Sequence, residues 1–516
     1  MSKDSVMILQ LGALQDEKIL LSTTEQNNGQ NLESCKSQEC RKIIRNLDLP
    51  FTKLDDFKRI FWDPSPIAAL IHRQWTTDEL FAAQFLNGCN PVLIKRCTEL
   101  PQAFSTLKDE TLGSGNSLNE EIKNQRVYVV DYSILEGIRA NVIKGEPQYI
   151  AAPICILYDD PTKGLTPVAI KIGRTPDDPV FRPKDKYAWL LAKIWVRNSE
   201  FYVHELSSHL LRTHLLAEVF VNAAYRCLPY TNPLGKLLFQ HGRYTLAINI
   251  NARKTLVSEN GIFDEFTGIG GGGHYELLIK AFTQLTYQTL CLPDDLENRG
   301  VNDLKNYYYK EDGMQLWNAI NEFVNNFVDC FYKTDDEVKQ DSDVQNWIKE
   351  VFENGFLQRK ESGIPSSLDS KQAFKKYLTM VIFTCSAQHA ALNNGQFDSC
   401  AWVPNCPTTM RKPPPKSTEG VTEKFIVETL PEIKVACRAM SITYLLSYPG
   451  EDFVKLGDYP EHTFDEPEMK RHIEQFSSKL SEIELSLQAR NNELIRNEKL
   501  PYIYMQPSMM ENSIAI

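Results

Sequence analysis

Apolar positions recur at helical spacing along most of this chain. Intervals of three and four residues between apolar side chains are typical of amphipathic α-helices. The clearest segments are residues 78–85, 207–226, 274–290, 313–332, 370–392 and 466–498. Strand-like runs are fewer and lie at residues 126–131, 151–158 and 168–172. The pattern predicts a mainly α-helical protein with a small β subdomain.

The first 50 residues differ from the rest of the chain. They are polar and rich in Asn, Gln, Ser and Glu between Thr23 and Cys40, a composition typical of poorly ordered segments. From Phe51 onward the pattern is globular and contains no internal repeat. We therefore expect a polar extension over residues 1–50 and one large domain over residues 51–516.

Two of the predicted helices, 207–226 and 370–392, are apolar on nearly every side. Helices of this kind lie in the interior of a large protein. We therefore expect two long central helices, and these two carry three of the nine histidines in the chain.

His209 and His214 are five residues apart on the first of these helices. On a regular α-helix that spacing separates two side chains by about 140°, too far for them to bind one metal ion. They converge only where the helix widens to a π-turn, a feature that is frequent at functional sites. The spacing predicts such a turn here.

His389 and Asn393 are four residues apart on the second helix, which places them on one face of an ordinary α-helix. A single buried histidine is more often a hydrogen-bonded core residue than a ligand. Three imidazoles and one amide oxygen on two central helices favour a first-row metal that binds N and O donors. A zinc hydrolase is the nearest rival, but His204-Glu205 precedes His209 one residue too far for the His-Glu-x-x-His pattern.

Two further patterns have simpler explanations. Residues 268–273 match GxGxxG formally, but no strand precedes them, so they predict a flexible turn before a helix at His274 rather than a nucleotide site.

Residues 466–498 alternate basic residues with Glu around an apolar stripe. We expect a surface helix packed on its own core, with a partner-binding helix as the alternative.

Composition restricts the remaining classes. The net charge is −11 and the pI is near 5.5, which disfavours a nucleic-acid partner. The 12 cysteines form no CxxC pairs, and in a chain of this length that pattern predicts reduced thiols and a cytoplasmic location. No secretory leader is expected from the N-terminal residues, and no apolar run is long enough to cross a bilayer.

From about Asp78 to its end, the chain resembles an animal lipoxygenase of the arachidonate lipoxygenase family. The resemblance rests on long, specific segments: FLNGCNPVLIKRCTELP, WLLAKIWVRNSEFYVHELSSHLLRTHL, GIFDEF with GGGGH, SAQHAALNNGQ, WVPNCPTTMRKPPP and the final NSIAI. It implies a mainly α-helical catalytic domain with two long central helices and a small β subdomain, without the family's N-terminal β-sandwich.

The resemblance implies one non-haem iron ion per chain. Its ligands would be His209, His214, His389, Asn393 and the terminal carboxylate of Ile516. Glu205 and Gln396 match the family's hydrogen-bonded pair that connects the substrate pocket to a ligand histidine.

The resemblance also implies an apolar substrate slot. Leu210, Ile248, Leu256 and Leu446 match positions that clamp the substrate diene. Phe201, Phe266 and Ile442 match positions at which side-chain bulk sets the depth of the slot. Ala252 matches a position at which Ala accompanies S-hydroperoxides and Gly accompanies R.

The implied activity is dioxygenation of polyunsaturated fatty acids such as arachidonate. Ferric iron carrying hydroxide would take a hydrogen atom from a 1,4-pentadiene, and O2 would add to give a hydroperoxide. A hydroperoxide isomerase on the same iron and a truncated inactive lipid- or partner-binding paralogue are the alternatives. Because the β-sandwich is not expected, we expect no calcium-stimulated membrane binding. Peripheral membrane contact and the oligomeric state stay open.

Overall fold

The computed structural model describes residues 49–61, 64–450 and 452–516. The predicted polar extension, residues 1–50, therefore lies almost entirely outside the described residues. Over the rest of the chain the structure is mainly α-helical with a small antiparallel sheet, which confirms the fold class expected from the sequence.

The α-helices among the described residues are α1 Pro66–Gln74, α2 Asp78–Asn87, α3 Leu118–Lys123, α4 Tyr187–Val203, α5 Leu216–Cys227, α6 Pro233–Gln240, α7 Thr245–Asn251, α8 Ile262–Phe266, α9 Gly273–Gln284, α10 Tyr287–Leu290, α11 Leu292–Arg299, α12 Tyr308–Phe331, α13 Asp335–Gln340, α14 Ser342–Glu350, α15 Lys371–Phe383, α16 His389–Asn393, α17 Gln396–Cys400, α18 Glu423–Thr429, α19 Ile433–Ser447 and α20 Pro467–Arg496. Four π-helical segments continue helices in this series: His204–Leu215, Ala252–Leu256, Val351–Gly355 and Thr384–Gln388. Short 3-10 turns occupy Leu54–Arg59, Gln102–Leu107, Ser133–Leu135, Pro183–Asp185, Lys360–Ser362, Val403–Asn405 and Pro507–Met509.

Two continuous helices occupy the centre of the molecule. The first central helix consists of α4, the π-segment His204–Leu215 and α5. The second consists of α15, the π-segment Thr384–Gln388 and α16. From Tyr377 to Asn393 every residue of the second helix is buried, because its sequence is apolar on nearly all sides. The two predicted central helices are thus present.

The strands among the described residues are β1 Lys95–Arg96, β2 Val127–Asp131, β3 Val142–Ile143, β4 Glu146–Pro147, β5 Ile154–Asp160, β6 Gly164–Lys171 and β7 Val180–Phe181. Five of them form an antiparallel sheet in the order β1-β2-β5-β6-β7, and β3 pairs with β4 in a separate ribbon. In register, Val129 lies opposite Ile156. Alternate β2 residues face different cores: Tyr128 packs into the main core, and Val129 into a small second core.

One predicted helix is interrupted. Residues 274–290 were expected to form a single helix, but α9 ends at Gln284 and α10 begins at Tyr287. Thr286 accepts a hydrogen bond from the Thr289 backbone and caps the new helix. The apolar pattern continues across this cap, so periodicity alone does not indicate the break. The predicted glycine turn before His274 is present, with Gly271 and Gly272 at positive φ.

Helix α20 packs on the body of the protein, as the first of the two interpretations of its sequence expects. Phe476 stacks on Phe323 of α12 with ring centroids 4.8 Å apart, and Leu480 and Ile483 are buried on the same face. This contact explains the apolar stripe without a partner.

The expectation of reduced thiols is wrong at one pair, because Cys400 and Cys406 form a disulfide. The chain reverses direction after α17, with hydrogen bonds from Asn405 N to Trp402 O and from Cys406 N to Val403 O. This reversal brings the two Cα atoms to 4.8 Å. A local turn of this kind leaves no signature in cysteine spacing.

Among the described residues, none of the helices combines the length and the apolar character that crossing a membrane requires.

Candidate metal centre

His209 and His214 lie on the π-segment of the first central helix, as their spacing predicts. The backbone N–H of Leu216 bonds to the carbonyl of Leu211, five residues earlier. With bonds of this i→i+5 type, residues five apart share one face. His209 and His214 therefore point the same way, with Nε2 atoms 3.2 Å apart.

The third histidine approaches from the second central helix. His389 begins α16, and its Nε2 atom lies 3.2 Å from Nε2 of His214. The imidazole nitrogens of His209, His214 and His389 all lie within 4.8 Å of one another, and all three residues are buried.

This geometry fits a bound metal ion. Metal–nitrogen bonds of about 2.1 Å at right angles separate two nitrogens by about 3.0 Å, close to the observed spacing. Among the described residues, the Nε2 atoms of these buried imidazoles contact one another rather than another polar group, and a cation would satisfy all three.

Burial keeps the three rings neutral. Burial, reinforced by nearby His209, lowers the pKa of His214 to about 3. Burial and the other two rings hold the pKa of His389 well below its usual value. Burial also lowers the pKa of His209, against an opposing effect of Glu205. Neutral imidazole is the form that binds metals.

Glu205 lies between two histidines. Its carboxylate is 3.3 Å from Nδ1 of His204 and 3.6 Å from Nδ1 of the ligand candidate His209. Burial disfavours the charged carboxylate, but the two imidazoles outweigh this effect and lower the pKa of Glu205 to about 2. A charged Glu205 favours a proton on Nδ1 of His209, which leaves Nε2 free to bind a metal.

The expected hydrogen bond between Glu205 and Gln396 is not formed. Gln396 donates from Nε2 to the backbone and side-chain oxygens of Asn393 instead, at 3.2 and 2.8 Å. Oε1 of Gln396 is buried without a hydrogen-bond partner in the part of the chain that the structure describes. Gln396 thus contacts Asn393, whereas Glu205 contacts His209. Because both hydrogen bonds of the Gln396 NH2 group go to Asn393, none is left for Glu205.

Asn393 and Ile516 border the same cavity as His209 and His214. They also border a second cavity of about 260 Å³, which reaches His389 and the polar side chains of Ser508 and Glu511. The terminal residue therefore lines both of the cavities that the three histidines border, one apolar and one more polar.

The first cavity is an apolar slot of about 70 Å³ beside the histidines. All eight pocket residues expected from the resemblance line it: Phe201, Leu210, Ile248, Ala252, Leu256, Phe266, Ile442 and Leu446. Sequence reasoning missed four more lining residues: Leu206, Val257, Phe263 and Thr443. Leu206 lies one helical turn before Leu210, and a search at this spacing could have found it.

Comparisons with known proteins find relatives over most of the chain. The lipoxygenase family model matches residues 13–507. Human polyunsaturated fatty acid lipoxygenase ALOX15B is 46% identical over 471 residues, which cover 90% of this chain and 69% of the relative. Human hydroperoxide isomerase ALOXE3 is 42% identical over 471 residues, covering 90% and 66%. The anaerobic crystal structure of a lipoxygenase in complex with arachidonate has a TM-score of 0.85 and 34% identity, over 94% of this chain and 75% of that one.

Proposed function

Because this chain belongs to the lipoxygenase family, we propose that it is a non-haem iron dioxygenase that converts polyunsaturated fatty acids into hydroperoxides. The observation that carries the proposal is the convergence of three buried Nε2 atoms beside an apolar slot that His209 and His214 line. An apolar slot suits a fatty-acid chain, and the donor set suits iron.

We assign iron binding to His209, His214, His389, Asn393 and the carboxylate of Ile516. The three imidazoles are neutral donors, so a carboxylate would supply the negative charge that the set otherwise lacks. Ile516 supports this role because it borders both cavities beside Asn393. Bound ferric iron would supply one-electron chemistry: it would take the electron of the hydrogen atom that leaves the substrate, while a hydroxide in the site would take the proton.

The residues of the slot position the substrate. Leu210, Ile248, Leu256 and Leu446 would hold the 1,4-diene against the metal centre and exclude water from it. Loss of one hydrogen atom from the central CH2 leaves a pentadienyl radical, and O2 adds to one of its ends. Return of a hydrogen atom then completes a conjugated hydroperoxide, so that the fatty acid and O2 are the two substrates.

A hydroperoxide isomerase is the second candidate, favoured by the 42% identity to a relative of that name. The same metal centre would serve both activities, and the slot residues do not separate them. A non-enzymatic lipid-binding paralogue would have no need for three buried imidazoles that face one another.

Cytoplasmic location stays a prediction from the sequence.

Oxygen uptake tests the proposal and separates the candidates. With arachidonate we expect uptake of O2 and appearance of conjugated-diene absorbance, and with oleate, which lacks a bis-allylic CH2, neither. An isomerase would instead consume a fatty-acid hydroperoxide without O2 uptake. An iron-loaded protein that reacts with neither arachidonate nor a fatty-acid hydroperoxide would contradict the proposal.

A further inference from the structure

A buried amide contacts one of the ligand candidates. Asn249 lies on α7 and is 1% exposed. Its Oδ1 atom is 3.1 Å from Nδ1 of His214. Its Nδ2 atom donates to the backbone carbonyl of His214 and to Oε2 of Glu218, both at 2.8 Å. All the polar atoms of this side chain are thus engaged by the first central helix.

The neighbours of Asn249 determine which way its amide points. A carboxylate and a backbone carbonyl can only accept hydrogen bonds. The NH2 group of Asn249 must therefore face Glu218 and the His214 carbonyl, and Oδ1 must face the imidazole.

Arg253 holds the carboxylate of Glu218 in place. Its two terminal nitrogens, Nη1 and Nη2, each donate to one oxygen of Glu218 at 2.7 Å. A bidentate pair of this kind fixes the plane of the carboxylate as well as its position. A series of contacts therefore leads from the half-exposed guanidinium of Arg253 through Glu218 and Asn249 to His214.

This orientation determines the tautomer of His214. Because Oδ1 of Asn249 can only accept, the neutral imidazole must carry its proton on Nδ1. Its lone pair is then on Nε2, which faces Nε2 of His209 and of His389. We propose that Asn249 is a positioning residue that holds His214 in its metal-binding tautomer and orientation, and that Glu218 and Arg253 orient Asn249. This inference rests on the proposed function, in which His214 binds iron.

A purely structural role would have different consequences. If Asn249 only joined α7 to the first central helix, its loss would lower thermal stability and leave the bound iron unchanged. If Asn249 positions His214, its loss also removes the acceptor opposite Nδ1 of His214, so iron binding should weaken as well. Loss of such an outer contact to a ligand typically weakens metal binding about 10- to 100-fold.

The test compares iron-loaded wild type with Asn249→Ala. In competition with a chelator, we expect the variant to bind iron roughly 10- to 100-fold more weakly, and we expect the electron paramagnetic resonance spectrum of its ferric form to change in rhombicity. Asn251→Ala is the matched control, because it removes an exposed amide from the same helix. It should leave both measurements as in wild type.

A double variant that combines Asn249→Asp with Glu218→Gln tests the polarity of the contact. The new amide, now on the first central helix, would donate to the new carboxylate on α7, whose other oxygen would still accept from Nδ1 of His214. The hydrogen bond to the His214 carbonyl would be lost, because a carboxylate cannot donate. We expect this variant to recover part of the iron retention that Asn249→Ala loses. A folded double variant that recovers none would overturn the polarity argument.

Two other outcomes are distinguishable. An Asn249→Ala protein with lower thermal stability but wild-type iron affinity and spectrum would show that the contact is only structural. A wild-type protein that binds no iron would contradict the proposed function itself.

Discussion

The imidazole of His241 donates from Nδ1 to the backbone carbonyl of Asn512 over 2.7 Å, and the hydroxyl of Tyr459 lies 2.9 Å from its Nε2. Because a carbonyl only accepts, the proton is on Nδ1, and Nε2 accepts from the tyrosine. Thr245 donates to the carbonyl of Ile514 at 3.0 Å. These contacts hold the C-terminal segment that leads to Ile516.

Stability should therefore depend on pH through His241. Burial lowers its pKa to about 4, against an opposing effect of the Asn512 hydrogen bond, compared with 6.5 in an unfolded chain. Between pH 6.5 and 4 the unfolded state binds a proton at His241 and the folded state does not. The contribution of His241 to the free energy of unfolding is therefore complete above pH 6.5 and is lost as the pH falls toward 4.

Urea denaturation of wild type and His241→Gln checks this prediction. Between pH 7.5 and pH 5, wild type should lose roughly 2 kcal/mol more of its free energy of unfolding than the variant, because glutamine does not titrate. The other titrating groups contribute equally to both proteins. Equal losses would show that His241 is not held neutral in the folded state.

Removing Ile516, or adding residues after it, should abolish oxygen uptake while most of the fold remains. The reason is the proposed role of the Ile516 carboxylate at the metal centre. Circular dichroism should show wild-type helix content, and metal analysis should show reduced iron. An N-terminally tagged protein is the control, and a C-terminally extended protein with full activity would refute the assignment.

The depth of the slot should determine where oxygen is added. Phe201, Phe266 and Ile442 line the slot, so a fatty acid that enters methyl end first should stop early and be oxygenated near its methyl end. Phe266→Ala or Ile442→Ala should admit one or more further methylenes, at about 0.8 kcal/mol of burial each, and move oxygenation toward the carboxyl end. Chromatography of arachidonate products decides this, and a wild-type product oxygenated mainly near the carboxyl end contradicts it.

Ala252 should control the configuration of the product. It lines the slot on the π-segment that follows α7, and its methyl group would block one position for O2. We expect mainly the S-hydroperoxide from wild type and a larger R fraction from Ala252→Gly. Chiral chromatography measures both, and a mainly R product from wild type would exclude this role.

The sequence predicted the features that depend on local spacing. The i, i+5 interval between His209 and His214 indicated the π-turn, and the i, i+4 interval placed His389 and Asn393 on one face. The slot residues came from the family resemblance, since single apolar residues on buried helices do not reveal which of them face a cavity.

Side-chain contacts could not be predicted, whether the two partners are distant or close in sequence. Asn249 lies 35 residues from His214, and Gln396 bonds to Asn393 rather than to Glu205. A polar residue in a buried helix requires a partner, but one sequence does not identify that partner. The same limit applies to the turn that joins Cys400 to Cys406.

Metal content measured together with oxygen uptake tests the central claim most directly. Protein isolated without added metal should contain about one iron per chain and take up O2 with arachidonate in proportion to its iron. His389→Ala, which removes one imidazole donor, should lose both, and Asn393→Ala should lose less because an amide is a weaker donor. Stoichiometric zinc without iron, or oxygen uptake that does not follow the iron content, would contradict the account.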